Sequence, residues 1–140
     1  MYLLDTNVVS ELRKRNSGKA NKNVVEWSES IATENLFISA ITIMEIEIGI
    51  LTVTRKDPPQ GNHLRLWMNG QVMPFFNGRI LAMDTAVAQI CAGLHVPDKK
   101  SERDAIIAAT ASVHNMTVVT RNISDFEGAG VKLFNPWDYV

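Results

Sequence analysis

Two hydrophobic periods alternate along this chain, and that alternation constrains its fold more than any other feature. Short apolar runs at Tyr2–Leu4, Leu36–Ser39, Arg79–Met83, Thr117–Thr120 and Lys132–Phe134 are separated by stretches with helical periodicity. Leu64, Trp67 and Met68 share one helical face, as do Ile107, Ala108 and Ala111. Buried strands alternating with helices are the signature of βαβ units and a parallel sheet. The sequence therefore predicts one doubly wound α/β domain over residues 1–140, with no repeat and no linker dividing it. Asn115 is expected as a left-handed cap at the end of the helix that precedes it. Two stretches read as loops. RKRNSGKANKN (13–23) carries five basic residues and no acid, and KDPPQGN (56–62) reads as a rigid, helix-breaking connection.

Composition narrows the function classes. A length of 140 residues is enough to bury a sizeable single core. A net charge of −1 gives no global field for nucleic acid or an acidic membrane, so any anion binding must come from local patches. The single cysteine, Cys91, sits in the apolar helical stretch AVAQICAGL and reads as a buried, inert thiol. It has no partner for an intrachain disulfide, which suits a reducing compartment. The apolar run before Asp5 is too short for a signal peptide, and no segment approaches the ~20 apolar residues of a membrane span. Cytoplasmic location without membrane contact is the expectation.

The acids carry the chemistry. Thr42-Ile-Met-Glu45, Ser101-Glu-Arg-Asp104 and Ser124-Asp-Phe-Glu127 each match a capping box, in which an acid three residues on reaches back to a free backbone N–H. Taken singly, each acid has that structural use. Taken together, they suggest more, because ligands of parallel α/β sheets bind at the carboxyl ends of the strands. Asp5 ends the first strand, Glu45 and Asp125 follow the second and fourth, and Asp104 heads a helix on its buried side. Two carboxylates ~5 Å apart repel by roughly 3 kcal/mol at an effective dielectric near 20. A hard divalent cation, Mg²⁺ or Mn²⁺, relieves that repulsion. His63, His95 and His114 stand apart and lack the spacing of a zinc site.

LLDTN at the N-terminus, SAITIMEIEIGI at 39–50, DAIIAATA at 104–111 and TRNISDF at 120–126 together resemble the PIN-domain ribonucleases. The similarity is greatest to the VapC-type toxins of toxin–antitoxin pairs and the related plasmid-stability and trafficking proteins, and it runs from Tyr2 to the terminal FNPW. The resemblance implies an α/β fold with a five-stranded parallel sheet flanked by helices. It also implies a metal-dependent endoribonuclease, a homodimer, and a VapB-type antitoxin that blocks the site. On that likeness Asp5, Glu45, Asp104 and Asp125 are the catalytic and metal-binding acids, with Asp5 and Asp104 the principal ligands. Asn122 stands where some family members have an acid, so one firmly held ion is expected. Thr120, Asn122 and Asn7 are placed to orient a carboxylate or a metal-bound water. Glu47 lies two residues from Glu45 on a helix, so the two do not face one ion.

Basic residues near these acids are the candidate RNA contacts. Arg13, Lys14 and Arg15 begin the basic stretch, while Arg121 and Arg103 adjoin the proposed site, the latter in a group with Lys99 and Lys100. Trp27, Trp67, Phe75 and Phe76 read as core or dimer packing. Three alternatives remain open at this level. Asp5 in LLDTNVV also fits the nucleophile of a haloacid-dehalogenase-like phosphatase, although Asn7 replaces that motif's second acid. Asp84 and Thr120 fit the phospho-acceptor and switch hydroxyl of a receiver-like module. A PIN domain that binds RNA or protein without cleaving is the third. LAMDTAV (81–87) repeats the local pattern around Asp5. Position in the sheet is expected to separate the two, with Asp84 a helix cap at an edge strand and Asp5 the metal ligand.

Overall fold

In the computed structural model, which describes residues 1–140, five strands form one sheet. They are β1 (Tyr2–Leu4), β2 (Leu36–Ser39), β3 (Ile80–Leu81), β4 (Thr117–Val119) and β5 (Leu133–Phe134). The connections hold helices α1 (Thr6–Arg13), α2 (Lys22–Ser30), α3 (Ala40–Lys56), α4 (Pro58–Trp67), α5 (Met73–Phe75), α6 (Thr85–Leu94) and α7 (Glu102–His114). A π-helical turn, Met68–Val72, joins α4 to α5. Every neighbouring pair is parallel, in the order β3-β2-β1-β4-β5. The chain steps outward from β1 to the β3 edge, then returns to the other side of β1 to lay down β4. The β1–β4 seam is therefore the topological switch, where the helices that follow diverge and leave a crevice.

Alternation along the strands builds the two layers. Leu4 and Val119 point into one core with Val8, Trp27, Ile38 and Ile46. Leu3 and Val118 point to the other face, against Ile107, Ala108 and Ala111 of α7. Both faces are covered, which is why the strands read as continuous apolar runs. Val87 and Cys91 of α6 pack on Ala105, Ile106 and Ala109 of α7, so Cys91 is a buried core thiol as expected. Trp27 and Phe76 are buried, and Tyr2 meets the edge of the Trp27 ring at 5.3 Å between centroids. No helix is long and apolar enough to cross a membrane.

Several local readings need correction. The helix after β2 opens at Ala40, where Ser39 accepts from the Ile41 N–H at 3.1 Å. Glu45 thus lies past the first turn and has no capping use. Ser101 precedes α7 without making a side-chain cap bond. Ser124 to Phe126 form part of a short 3₁₀ turn rather than the start of an α-helix. KDPPQGN is not a loop. Only Asp57 breaks the helix, and its carboxylate caps α4 by accepting from the Gln60 N–H at 3.2 Å. Proline is tolerated in a first helical turn, where its missing N–H has no partner to lose. The basic stretch 13–23 is likewise structured, with a 3₁₀ turn at Lys14–Ser17 and α2 beginning at Lys22. Strand β3 is shorter than the apolar run suggests, as befits an edge. Asn115 does close α7 in the left-handed conformation, at φ 54°.

Candidate active site

Register brings the first two site residues together. Leu4 pairs with Val119, and the Asp5 N–H continues the ladder to the Val119 carbonyl at 2.8 Å. Asp5 and Thr120 therefore leave the sheet side by side at the switch. The carboxylate of Asp5 is buried, and every partner it has is neutral. Oδ1 accepts from the Thr6 N–H at 2.7 Å, and Oδ2 accepts from the Thr120 hydroxyl at 2.7 Å and the Asn7 amide at 3.3 Å. Burial raises its pKa above the ordinary aspartate value, with the charges of Glu45 and Asp125 adding to the rise. The Thr120 and Thr6 hydrogen bonds oppose the shift without cancelling it.

Asp84 provides the contrast. It is exposed at the end of edge strand β3, and its side chain accepts from the Val87 N–H at 3.0 Å, an ordinary N-cap bond. It stands outside the cleft that gathers Asp5, Glu45 and Asp104, and its carboxylate serves as a helix cap rather than a phospho-acceptor. Asn7, the residue that would be the second acid of a dehalogenase motif, is instead a hydrogen-bond donor to Asp5.

Glu45, on the second turn of α3, turns towards β1. Its Oε1 accepts from the Thr6 hydroxyl at 2.8 Å, and the Thr42 hydroxyl lies 3.2 Å from that of Thr6. Asp104, in the first turn of α7, is half-buried. Its pKa is raised by burial first, then by the charges of Asp5 and Asp125. Asp5, Glu45 and Asp104 line one polar cleft of about 500 Å³ together with Asn7, Glu11, Lys14, Arg121, Asn122 and Trp137. Asp125 is exposed on its 3₁₀ turn and does not line that cleft, although its charge reaches Asp5 and Asp104. The acids share a cleft without closing on one point, and no three of them are placed as a finished ligand set. Glu47 points away to α4, where Arg65 Nη1 lies 2.6 Å from it. That pairing lowers the Glu47 pKa and leaves it outside the cleft.

The candidate cations divide between two surfaces. Lys14 and Arg121 line the cleft. Arg103 reaches Glu45 at 3.7 Å. Arg13 and Arg15 lie on the other side of α1, on an apolar groove of about 570 Å³ with Leu12, Trp67, Val72 and Phe75. The Arg13 guanidinium sits over the Trp67 ring at 5.9 Å. Helical periodicity explains the split, since Ser10, Glu11 and Lys14 share one face while Val9, Leu12 and Arg13 share the other. Phe75 is largely exposed rather than core.

Three functional cleft residues escape a reading of sequence alone: Thr6, Glu11 and Trp137. Thr6 is signalled only by standing next to Asp5, and the buried Thr42, read from sequence as a cap, lies behind the cleft beside it. Glu11 accepts from the Asn21 N–H at 2.7 Å and from Lys14 at 3.2 Å, fixing the basic stretch against α1. Trp137 enters from the far end of the chain, and only the sheet topology brings it here.

Asp5 and Asp104 lack a cation within 4 Å. A buried carboxylate held by neutral donors alone, beside two further acids and open to a cleft, offers the oxygen-donor chemistry that suits a hard divalent cation. The residues present fit such an ion.

Comparison with known proteins shows the family and the fold. The PIN domain family matches residues 2–130. The chain is 39% identical to Toxin FitB of Neisseria gonorrhoeae, over 98% of this chain and 99% of that protein. It is 36% identical to VapC ribonuclease Y4jK of Sinorhizobium fredii, over 99% of both. The crystal structure of FitAcB from N. gonorrhoeae superposes with a TM-score of 0.88 at 36% identity, over 99% of each chain. A toxin–antitoxin complex from Klebsiella pneumoniae superposes with a TM-score of 0.66 at 28% identity, over 97% of this chain and 98% of that one.

Proposed function

The chain belongs to the PIN domain family, among the VapC-type toxins, and from that premise we propose that it is a metal-dependent endoribonuclease and the toxin of a type II toxin–antitoxin pair. One observation carries the proposal. The buried Asp5 carboxylate, without a cationic partner, opens at the sheet's switch point onto a cleft that Glu45 and Asp104 share. The whole chain constitutes the catalytic PIN domain.

Asp5 and Asp104 would be the principal ligands of Mg²⁺ or Mn²⁺, with Glu45 completing the set and Asp125, outside the cleft lining, contributing through water or through its charge. Such an ion, when bound, acidifies a water and offsets the charge on the scissile phosphate. Thr120 and Asn7 fix the orientation of Asp5 from one side, and the Thr6 N–H fixes it from the other. Thr6 aims Glu45. One of these carboxylates accepts the proton of the attacking water. Lys14, Arg121 and Arg103 draw the RNA backbone into the cleft, and Asn122 hydrogen-bonds water there. Attack by water on phosphorus leaves a 5′-phosphate and a 3′-hydroxyl.

The partners follow from the same premise. A VapB-type antitoxin that covers the cleft is the expected inhibitor, as the similarity to the Klebsiella toxin–antitoxin complex supports. Met44, Ile48 and Leu51 place an exposed apolar stripe along α3, which supports a homodimer. The decisive assay is cleavage of single-stranded RNA with Mg²⁺ and with EDTA. Activity that persists in EDTA would remove the metal from the mechanism.

A further inference from the structure

Arg121 presents an anomaly of charge. It lines a cleft with four acids, Asp5, Glu11, Glu45 and Asp104, and pairs with none of them within 4 Å. The two other cations at this cleft do find carboxylates, Lys14 at Glu11 and Arg103 at Glu45. The Arg121 charge does reach Glu11, whose pKa it helps to lower, and the Arg121 backbone N–H meets Asn7 Oδ1 at 3.4 Å, on the side chain that contacts Asp5. The guanidinium instead lies over the Trp137 ring, its Cζ 5.1 Å from the centroid.

Trp137 is built as a fixed perch. Its carbonyl accepts from the Asn23 amide at 2.7 Å, and its N–H donates to Asn135 Oδ1 at 2.9 Å. The buried Pro136 precedes it in a 3₁₀ turn, and the ring packs partly against the core. It is the single apolar residue lining the cleft. An aromatic face attracts an exposed guanidinium, so the ring competes with the partly buried acids for Arg121.

We propose that Trp137 is a positioning residue that holds Arg121 off the cleft carboxylates, leaving the acids free for the metal and the guanidinium free for an RNA phosphate. The role rests on the nuclease reading of this cleft. Without the ring, Arg121 falls onto the acids and competes with the ion as an internal cation.

Mn²⁺ titration of the full chain by calorimetry, without RNA, tests this independently of turnover. Trp137→Leu is expected to weaken Mn²⁺ binding by roughly five-fold or more, with Trp137→Phe restoring it to within about two-fold. Trp137→Leu combined with Arg121→Gln is expected to regain wild-type affinity, because the competing charge is gone. Arg121→Gln alone, which leaves the ring in place, is expected to tighten Mn²⁺ binding only slightly, through the loss of a nearby positive charge. If Arg121→Gln alone tightens Mn²⁺ binding by as much as roughly five-fold, the arginine already occupies the acids and the inference is overturned. It is also overturned if Trp137→Leu binds like wild type, or if its loss is not relieved by the second change. Asp5→Asn separates the two levels. An isotherm that Asp5→Asn leaves unaltered overturns the nuclease reading as well, whereas binding lost in Asp5→Asn and unchanged in Trp137→Leu overturns the role of Trp137 alone.

Discussion

Thr120, at the end of β4, donates its hydroxyl proton to Oδ2 of Asp5, at the end of β1, across 2.7 Å. The direction is set by the other bonds at that oxygen. Thr120 Oγ1 accepts from the Asn122 N–H at 3.0 Å and from the Asn7 amide at 3.4 Å, so its own proton is left for the aspartate. One hydroxyl therefore ties together the two strands of the switch and the loop that follows β4.

Thr120→Val keeps the shape and removes the proton. Asp5 then loses the strongest hydrogen bond that opposes its raised pKa. The expected outcome is a fold near wild type with metal affinity reduced by about 10- to 100-fold. The Mg²⁺ concentration giving half-maximal RNA cleavage reads this directly.

Burial of Asp5 makes the metal-free protein pH-sensitive in a definite sense. Its folded pKa is raised, mainly by desolvation, so the folded chain holds the proton more tightly than the unfolded chain does. The stabilisation from that proton is complete below the ordinary aspartate pKa and is lost as pH rises through the raised folded value. Asp104 adds a contribution of the same sign. Asp5→Asn removes the Asp5 share, so in EDTA its melting temperature should rise relative to wild type as the pH climbs through that window. A saturating divalent ion should reverse the order, because only wild type gains the binding free energy. Thermal melts across pH, with and without Mg²⁺, give both arms.

Glu47 is expected to be dispensable for cleavage. It faces Arg65 on α4, at 2.6 Å, and solvent screens the pair. Glu47→Gln should retain wild-type cleavage under saturating Mg²⁺, while Glu45→Gln should not.

Gly61 marks a close approach of α4 to α3. A Cβ there would fall on the Thr54 hydroxyl and stand 2.8 Å from the Thr54 Cα. Alanine raises helix propensity by about 1 kcal/mol. Overpacking against backbone costs about 1–3 kcal/mol and cannot be relieved by a rotamer change alone. Gly61→Ala is therefore expected to destabilise by up to about 2 kcal/mol, measured by urea denaturation.

The fold was legible because strand and helix periods differ, and the apolar runs at 2–4, 36–39 and 117–120 overlap β1, β2 and β4 closely. The acids were legible because carboxylates at strand ends and helix starts have few uses. Local motifs misled where packing decides. Glu45 matches a capping box, yet Ser39 caps the helix and frees Glu45 for Thr6. KDPPQGN reads as a break, yet Asp57 and Pro58 start a helix whose Gly61 fits against Thr54. Arg13 and Lys14 are sequence neighbours, but one helical step sends them to different surfaces. Trp137 is far in sequence from every other cleft residue except Arg121 and Asn122, and a pairing set by topology leaves no local trace.

Asp5 and Asp84 share a strand–Asp–Thr–helix sequence, and only their places in the sheet distinguish them. Asp84 caps α6 at the edge, whereas Asp5 faces the cleft at the β1–β4 seam. Cleavage of single-stranded RNA by Asp5→Asn and Asp84→Asn, side by side in Mg²⁺, tests that distinction most directly. Asp5→Asn should lose activity by at least on the order of 100-fold. Asp84→Asn should cleave like wild type, and Asp84→Ala should show only the ~1 kcal/mol loss of a helix cap. An Asp5→Asn variant that cleaves at the wild-type rate, or an Asp84→Asn variant equally inactive, would contradict the assignment.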